Sequence, residues 1–343
     1  MRKKILLLAF LSAPAAFSFA QDAANNPEAE LRYNDGVAKY ESKDYDGAIA
    51  QFDEVIKLNP SFDKAYYNRG IAKMDKKDYK GAIEDFSSTI HINPSFSKAY
   101  FSRGFLKYTL QDKEGALADF SRSAELDPSY AQSFYYRGEI KFTQGDYQGA
   151  AQDFTKAIAA KPDYAYAYND RGSAKKMAGD YKGAIADYTR ATQIDPKLAF
   201  AFNNLGSAKK KAGDLRGAIA AFGFAIQINP ENYMAYNNRG SARFELQEYK
   251  DAITDFDQAI KLNPRYAYAY NNRGTARYKL DDFKGAVNDF NDAIRLNSSY
   301  GYAYLNRGIV RELMRNPDAA CNDWETAKSL GISVADTYLQ GCE

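Results

Sequence analysis

Few residue types in this sequence could carry out chemistry. A single histidine, His91, occurs among 343 residues, so the chain cannot assemble a histidine-based metal cluster or a Ser-His-acid triad. The glycines recur with a step of 34 residues, which is not the spacing of a phosphate-binding loop. The acidic clusters recur with the same step, so we interpret them as parts of a scaffold. We therefore predict no catalytic residues, no metal and no cofactor, and a carboxylate-only enzyme is a distant alternative.

One recurring pair of opposite charges carries more information. An Arg is followed sixteen residues later by an Asp in seven places, and two further places lack both partners, with Leu205 and Ala221 or Asp35 and Gln51 instead. Joint loss predicts that each Arg contacts its Asp, because removing one member of a buried ion pair costs more than replacing both. We predict a structural role and not a ligand site. The pairs include Arg69 with Asp85, Arg239 with Asp255, and Arg273 with Asp289.

The elements that hold these residues repeat every 34 positions. Gly36 begins a series of nine glycines and Ala48 a series of nine alanines, and a bulky aromatic follows each alanine by four residues, from Phe52 to Trp324. Each period contains two helical stretches. Glycine inside a helix costs about 1 kcal/mol relative to alanine. Its recurrence predicts that the two helices cross closely there, with the alanine twelve residues later meeting the glycine.

The recurring motif resembles the tetratricopeptide repeat. It reads Tyr-x-Asn-Arg-Gly-x-Ala, then Asp-Tyr-x-Gly-Ala-Ile, then Asp-Phe and Asn-Pro, and it covers residues 29 to about 332. The predicted fold class is all-α, a right-handed α-solenoid of about nine 34-residue helix-turn-helix units with a C-terminal capping helix. Lys or Arg at the eleventh position of all nine units departs from the family, which often has an aromatic there.

We number these units as repeats 1 to 9 and count positions from the first residue of each repeat. The predicted repeats are 29–62, 63–96, 97–130, 131–164, 165–198, 199–232, 233–266, 267–300 and 301–332, followed by a C-terminal cap over 333–343.

The N-terminal residues predict export. Residues 1–20 combine a positively charged start, a short apolar run and the small residues Ser18 and Ala20, which is typical of a cleavable signal peptide. An uncleaved anchor is the weaker alternative, and residues 21–28 are a polar leader. Cleavage would remove three of the 46 basic side chains and leave 43 against 44 acidic ones, so no basic excess favours nucleic acid. No later segment is apolar enough to span a membrane, and we expect a soluble periplasmic or secreted bacterial protein.

The two cysteines, Cys321 and Cys342, are predicted to form a disulfide, because an exported protein with two cysteines ordinarily joins them. The bridge would tie a last helix over 332–339 to repeat 9 and so cap the exposed end of the array. A redox centre is the weaker alternative, since twenty residues separate the two thiols.

The resemblance also implies a binding face. In tetratricopeptide arrays the first helix of each repeat lines the concave face, and positions two, five, six, nine and twelve tend to meet ligands. Asparagine amides both donate and accept hydrogen bonds, so a row of them suits the backbone of an extended peptide. Alternatively, these asparagines bond the neighbouring repeat. The predicted peptide-binding residues are Tyr166, Asn169, Phe200, Asn203, Asn204, Asn237, Asn238, Tyr268, Asn271 and Asn272.

Repeats 1 to 4 differ from this pattern because position five is aromatic there, as in Tyr33 and Phe101. The sequence thus predicts a non-catalytic interaction scaffold that binds another protein or a peptide segment. The alternative is a structural scaffold of the cell envelope that acts through its ends or its convex face, and self-association is left open. Fold alone does not give function.

Overall fold

Helices form because each repeat joins two amphipathic stretches through short turns with clear stop and start signals. The second helix typically begins after an aspartate whose carboxylate accepts a hydrogen bond from the glycine amide three residues later, as Asp44 does from Gly47 at 2.9 Å. The turn before it contains a residue with positive φ, such as Gly179 at 87°. After the second helix, the Asn59 side chain accepts a hydrogen bond from the Ser61 amide at 3.1 Å. Because these signals recur, the helix bounds recur.

The computed structural model describes residues 26–342, and this part of the chain is helical without any strand. The predicted signal peptide, residues 1–20, lies outside the described residues, as does most of the predicted leader. The first helix begins at Pro27, inside that leader, because the Asn26 side chain accepts hydrogen bonds from the amides of Glu28 and Ala29. No helix within 26–342 combines the length and the apolar character that crossing a bilayer would require.

The described chain divides into two units, and each is a stack of helix pairs. The N-terminal unit, residues 26–162, contains α1 (Pro27–Glu41), α2 (Tyr45–Leu58), α3 (Asp63–Asp75), α4 (Tyr79–Ile92), α5 (Ser97–Thr109), α6 (Lys113–Leu126), α7 (Ala131–Thr143) and α8 (Tyr147–Ala160).

The C-terminal unit spans residues 163–342. It contains α9 (Ala165–Met177), α10 (Tyr181–Ile194), α11 (Ala199–Lys211), α12 (Leu215–Ile228), α13 (Tyr233–Glu245), α14 (Tyr249–Leu262), α15 (Ala267–Tyr278), α16 (Phe283–Leu296), α17 (Gly301–Leu313), α18 (Pro317–Ser329) and α19 (Ala335–Leu339).

Within each unit the two helices of a repeat pack together, and the second also packs against the first helix of the next repeat. This arrangement confirms the predicted all-helical, paired architecture of an α-solenoid. The first helices of the C-terminal unit are α9, α11, α13, α15 and α17, and they carry the predicted binding residues.

The recurring glycine marks a close helix crossing, but its neighbour differs from the predicted one. A Cβ atom added at Gly240 would lie 2.7 Å from the Phe256 ring and 3.1 Å from the carbonyl oxygen of Ala252. The side chain that fills the space is therefore the aromatic at position twenty-four and not the alanine at position twenty. The alanine contributes its backbone, and the buried ring sets the distance between the two helices.

The capping helix is shorter than predicted, since α19 spans Ala335–Leu339 and not residues 332–339. Cys321 and Cys342 are joined by a disulfide, with their Cα atoms 5.8 Å apart. The Tyr338 ring stacks on Trp324 at 5.1 Å between centroids. The bridge and the stacked rings hold the final residues against the second helix of repeat 9.

Candidate functional site

The first helices of the C-terminal unit are linked by side-chain amides. In each link the amide nitrogen of an asparagine at position six donates to the amide oxygen of an asparagine at position five in the preceding repeat. The links are Asn204 to Asn169 at 3.0 Å, Asn238 to Asn203 at 3.3 Å, Asn272 to Asn237 at 3.0 Å, and Asn306 to Asn271 at 3.0 Å. We call these eight residues the asparagine ladder. It fixes the register of neighbouring first helices.

Burial divides the asparagine ladder into two groups. Asn169, Asn237 and Asn271 are buried, with 4 to 6% of their surface exposed, whereas their position-six partners and Asn203 are half-buried. Each link uses one donor and one acceptor of the two amides. Within residues 26–342, no partner binds the amide nitrogen of Asn203 or the amide oxygen of Asn238. The ladder is thus an inter-repeat connection first, and its half-buried members keep hydrogen-bonding capacity for a ligand.

Aromatic side chains flank the asparagine ladder at position two. Tyr166 and Phe200 are half-buried and lie 5.7 Å apart between ring centroids. Tyr268 is half exposed, at 50%, and Tyr302 is similar at 54%. Tyr268 contacts two further rings, Tyr266 at 5.6 Å and Tyr300 at 4.9 Å, and Tyr233 lies 4.9 Å from Tyr266.

We call Tyr233, Tyr266, Tyr268 and Tyr300 the tyrosine cluster. Burial is the main cause that raises the pKa of Tyr266 and of Tyr300 above the usual tyrosine range. Both phenols are therefore neutral hydrogen-bonding groups at physiological pH. A cluster of this kind offers an apolar platform with polar edges.

A lysine at position twelve adds a charge to the same helices. Lys176 in α9 is half-buried, and burial lowers the pKa of its ammonium group. No carboxylate within residues 26–342 forms an ion pair with it. The corresponding lysine of the next repeat, Lys210, is already paired with Glu245 at 2.9 Å and with the Ser241 hydroxyl at 2.6 Å. Lys176 is thus the position-twelve cation that a carboxylate of a ligand could reach.

The N-terminal unit builds the same positions from aromatic residues. Tyr33 packs against Phe62 at 5.0 Å between centroids, and its hydroxyl accepts a hydrogen bond from the Asn68 amide at 2.7 Å. Phe101 packs against Tyr130 at 4.9 Å. Burial raises the pKa of Tyr33 to about 12. The half-buried amide row and the exposed tyrosines therefore belong to the C-terminal unit.

The recurring Arg and Asp residues form buried ion pairs at the crossing of each helix pair. Arg273 Nη2 lies 2.5 Å from Asp289 Oδ1, and Asp289 is 1% exposed. The other two named pairs, Arg69 with Asp85 and Arg239 with Asp255, are each joined at 2.6 Å. The pairs face the second helices, so they contribute to the scaffold.

Sequence reasoning missed a third member of each pair, the cation at position eleven. Arg277 lies 2.9 Å from the second carboxylate oxygen of Asp289, and Lys73 lies 2.8 Å from that of Asp85. The lysines and arginines that depart from the family pattern are therefore partners of the buried carboxylate. Their signal was weak because repeats 1 and 6 keep Lys39 and Lys209 although both lack the Asp. Those two lysines lie 3.7 Å from Asp44 and 3.4 Å from Asp214 instead.

No group of three or more His, Cys, Asp and Glu side chains within residues 26–342 is arranged to hold a metal ion. The chemistry that these helices offer is hydrogen bonding, aromatic contact and charge pairing. Such groups suit the recognition of a polypeptide.

Family models for the tetratricopeptide repeat match most of the repeat region. A model described as TPR repeat matches residues 36–76 and 240–281. Two models described as tetratricopeptide repeat match residues 101–165 and 138–199, and residues 267–300. Together these matches cover more than half of the chain.

Solved structures share the fold at low sequence identity, whereas comparison with curated proteins gave no match. YrrB, described as a TPR protein with an unusual peptide-binding site, is 24% identical over 55% of this chain and 96% of its own, with a TM-score of 0.50. PilF of Pseudomonas aeruginosa is 18% identical over 62% of this chain and 97% of its own, with a TM-score of 0.55. The Cut9–Hcn1 structure is 15% identical over 91% of this chain and 83% of that chain, with a TM-score of 0.54.

Proposed function

The chain belongs to the tetratricopeptide repeat family, and on this premise we propose that it is a non-catalytic scaffold that binds an extended polypeptide segment. The binding face that we propose is the side of α9, α11, α13, α15 and α17 that carries positions two, five, six and twelve. In the family this is the concave face. YrrB, whose description includes a peptide-binding site, supports the proposal by similarity of fold only.

The observation that carries the proposal is unused hydrogen-bonding capacity beside exposed aromatic rings. Positions two, five and six are neighbours on a helix surface, so the half-buried amides lie on the side of Tyr268 and Tyr302. An extended peptide could therefore pair its backbone with the amides while its side chains pack on the tyrosines. Lys176 would pair with an acidic side chain or a terminal carboxylate at the N-terminal end of this face. Such a ligand would stabilise the charged lysine and raise its pKa.

The experiment that tests the proposal is photo-crosslinking from the binding face in the producing cell. A photo-reactive amino acid placed at Tyr268 faces solvent without disturbing the asparagine ladder. Lys284, an exposed residue of the second helix α16, is the matched control position. We expect a discrete foreign polypeptide to be trapped from position 268 and not from position 284. Self-crosslinks alone, or equal trapping from both positions, would contradict the proposal.

The trapped polypeptide then allows a quantitative test with purified components. Tyr268→Ala with Tyr302→Ala removes two rings that are each about half exposed, and Tyr268 contacts the half-buried rings of Tyr266 and Tyr300, so we expect the helix pairs to be retained. We expect the affinity for the trapped segment to fall about tenfold or more, because aromatic anchors dominate such interfaces. An unchanged affinity would show that the segment binds elsewhere.

Export remains part of the proposal. Residues 1–20 have the composition of a cleavable signal, and we propose that the mature chain acts in the periplasm or outside the cell. N-terminal sequencing of the native protein tests this directly. A mature N-terminus at Gln21 supports export, whereas an intact Met1 would contradict it.

A further inference from the structure

Repeat 6 lacks the buried charge network of its neighbours, and apolar residues replace it. Leu205 and Ala221 stand where the other C-terminal repeats have Arg and Asp, and both are buried. Because both members of the ion pair are replaced together, the interior of the repeat contains no unpaired charge at these positions. The replacements also change its surface, because the guanidinium covers a neighbouring aromatic ring in the seven repeats that have the Arg.

That uncovered ring is Phe202 at position four. Elsewhere the aromatic at this position lies under a guanidinium, as Tyr236 lies 5.5 Å from Arg239. Phe202 instead contacts Phe224 at 5.4 Å between centroids, and Phe224 is 53% exposed. Position twenty-six, which Phe224 occupies, is polar in the other eight repeats. Ile228, one turn further along α12, is 37% exposed.

Repeat 6 also lacks a hydrogen-bond acceptor next to these rings. In several repeats, Nη1 of the position-seven Arg donates to a polar side chain at position twenty-five of the preceding repeat. Examples are Arg273 to Asp257 at 2.6 Å and Arg307 to Asn291 at 2.6 Å. In repeat 6 position twenty-five is Gly223, and a Cβ atom added there would find only Arg239 Nη1 within 4 Å, at 3.9 Å.

Arg239 uses its Nε and Nη2 atoms to bind Asp255. No acceptor within residues 26–342 binds its Nη1 atom. Repeat 7 has the carboxylate of Asp257 at position twenty-five, whereas repeat 6 has Gly223 there and so offers Arg239 no side-chain acceptor. We call Phe202, Gly223, Phe224, Ile228 and Arg239 the repeat-6 patch.

We propose that the repeat-6 patch binds a polypeptide segment of a partner protein that presents an Asp or Glu carboxylate next to an aromatic or aliphatic side chain. The carboxylate takes the position that Asp257 occupies in repeat 7 and accepts from Arg239 Nη1. The apolar side chain packs on Phe202 and Phe224. Charge-assisted hydrogen bonds of Arg to carboxylates are strong, and Arg and aromatic side chains are enriched among the residues that carry most of the binding energy at protein interfaces.

This surface is separate from the proposed peptide-binding face. Successive residues of an α-helix are rotated by about 100°, so positions four and seven lie on the opposite side of the first helix from positions two, five, six and twelve. The inference therefore stands or falls independently of the proposed function.

The test uses a phage-displayed library of random peptides, selected on the purified full chain. We expect an enriched group of peptides with Asp or Glu beside Phe, Leu, Ile or Trp. Binding of one such synthetic peptide is then measured by calorimetry against three variants. Gly223→Asp and Phe224→Gln each copy the residue of repeat 7, Asp257 or Gln258, and Gln258→Ala is the matched control.

We expect Gly223→Asp and Phe224→Gln each to lower the affinity for the peptide about tenfold or more. The first substitution supplies a carboxylate of the chain itself to Arg239, and the second removes the ring on which the peptide packs. Gln258→Ala should leave the affinity unchanged. Circular dichroism and urea midpoints establish that all three variants keep the fold. The proposal is overturned if no acidic-apolar peptide is enriched, or if the peptides ignore both substitutions. It is also overturned if sedimentation shows that the wild-type chain dimerises and Phe224→Gln abolishes the dimer, since the occupant would then be a second copy.

Discussion

The two units make the same inter-repeat link with different chemistry. In the N-terminal unit the Asn68 amide donates to the phenol oxygen of Tyr33, and in the C-terminal unit the Asn204 amide donates to the Asn169 amide oxygen. Both links join positions 35 residues apart. The acceptor is a buried aromatic side chain in one unit and a small amide in the other.

The change of acceptor is accompanied by different contacts of the aromatic residue that precedes the next first helix. Phe62, before α3, is buried against Tyr33. Tyr300 is the corresponding residue before α17, but position five of its repeat is Asn271 and not an aromatic residue. Tyr300 packs instead on Tyr268, which is 50% exposed. The replacement of one buried ring thus accompanies a tyrosine cluster at the surface. The N-terminal unit buries rings at position five, whereas the C-terminal unit leaves Tyr268 half exposed on the face that we propose for a ligand.

The largest expected effect comes from converting the N-terminal chemistry into the C-terminal chemistry. Phe101 contacts four rings, with centroids 4.9 to 6.3 Å away. Phe101→Asn should lower the free energy of unfolding by about 3–5 kcal/mol, since it removes a buried ring and leaves a cavity. Urea denaturation followed by circular dichroism measures the loss.

The matched control for that substitution is Asn203→Ala, at position five of repeat 6. Asn203 is half-buried and makes one amide link, so we expect a loss of about 1 kcal/mol. Equal losses from Phe101→Asn and Asn203→Ala would show that the two units do not differ in the way described.

The second effect concerns the charge network that both units share. Arg273→Leu leaves Asp289 buried with only Arg277 as partner, and we expect a loss of about 2–3 kcal/mol. The double variant Arg273→Leu with Asp289→Ala should lose less, because it repeats the solution that Leu205 and Ala221 provide in repeat 6. Urea midpoints of the two variants decide the matter, and identical losses would remove the case for a coupled pair.

The third effect compares the link itself in the two units. Asn68→Ala removes a buried amide at 4% exposure from the Tyr33 hydroxyl, and we expect a loss of about 1–2 kcal/mol. Asn272→Ala removes a half-buried amide from Asn237 and should cost about 1 kcal/mol or less. Thermal denaturation ranks the two variants. A larger loss for Asn272→Ala would reverse our assignment of stability to the N-terminal unit.

The smallest effect is a titration. Position twelve is Tyr40, Met74, Tyr108 and Phe142 in the N-terminal unit but Lys176 in repeat 5. Because burial lowers the pKa of Lys176, the native state holds this proton less tightly than the unfolded state does. Its contribution to stability should therefore become more favourable as the pH rises through the native pKa toward the unfolded value.

Amine-selective labelling followed by mass spectrometry tests the Lys176 titration. The pH at which Lys176 becomes half reactive should be lower in the native chain than in the chain in concentrated urea. Binding of a carboxylate-bearing ligand to the proposed face should move that pH upward. A native value at or above the urea value would contradict the assigned burial.

Most of the fold could be predicted from the sequence because each position of the repeat occurs nine times in nearly the same structural environment, so the nine residues at one position can be compared. The pairing of Arg273 with Asp289 followed from joint loss in repeats 1 and 6. The helix pairs followed from turn residues that recur at one spacing. The start of the capping helix did not follow, since repeat 9 has Gly331 and Ile332 where most other repeats have Asn or Asp followed by Pro.

The candidate site was less predictable for a physical reason. An asparagine looks the same in sequence whether its amide faces a peptide or the next helix, and Asn237 proves to be 6% exposed and bonded to Asn272. Tyr268 packs on Tyr300 at the surface of repeat 8, which has Asn271 where the N-terminal repeats have a ring. The open Nη1 atom of Arg239 depends on Gly223, sixteen residues before it. Such properties arise from pairs of positions, so no single position reveals them.

Near-identical repeats also create a danger of mispairing while the chain folds. A first helix could pair with the second helix of the wrong repeat, because most helices carry the same motif. Repeat 6 opposes this error. If α11 took the place of α9 against α10, or of α13 against α14, Leu205 would meet Asp187 or Asp255, and a buried carboxylate would lose its arginine at a cost of several kcal/mol. The repeat without the buried Arg–Asp pair thus distinguishes α11 from the other first helices of the C-terminal unit and favours its pairing with α12.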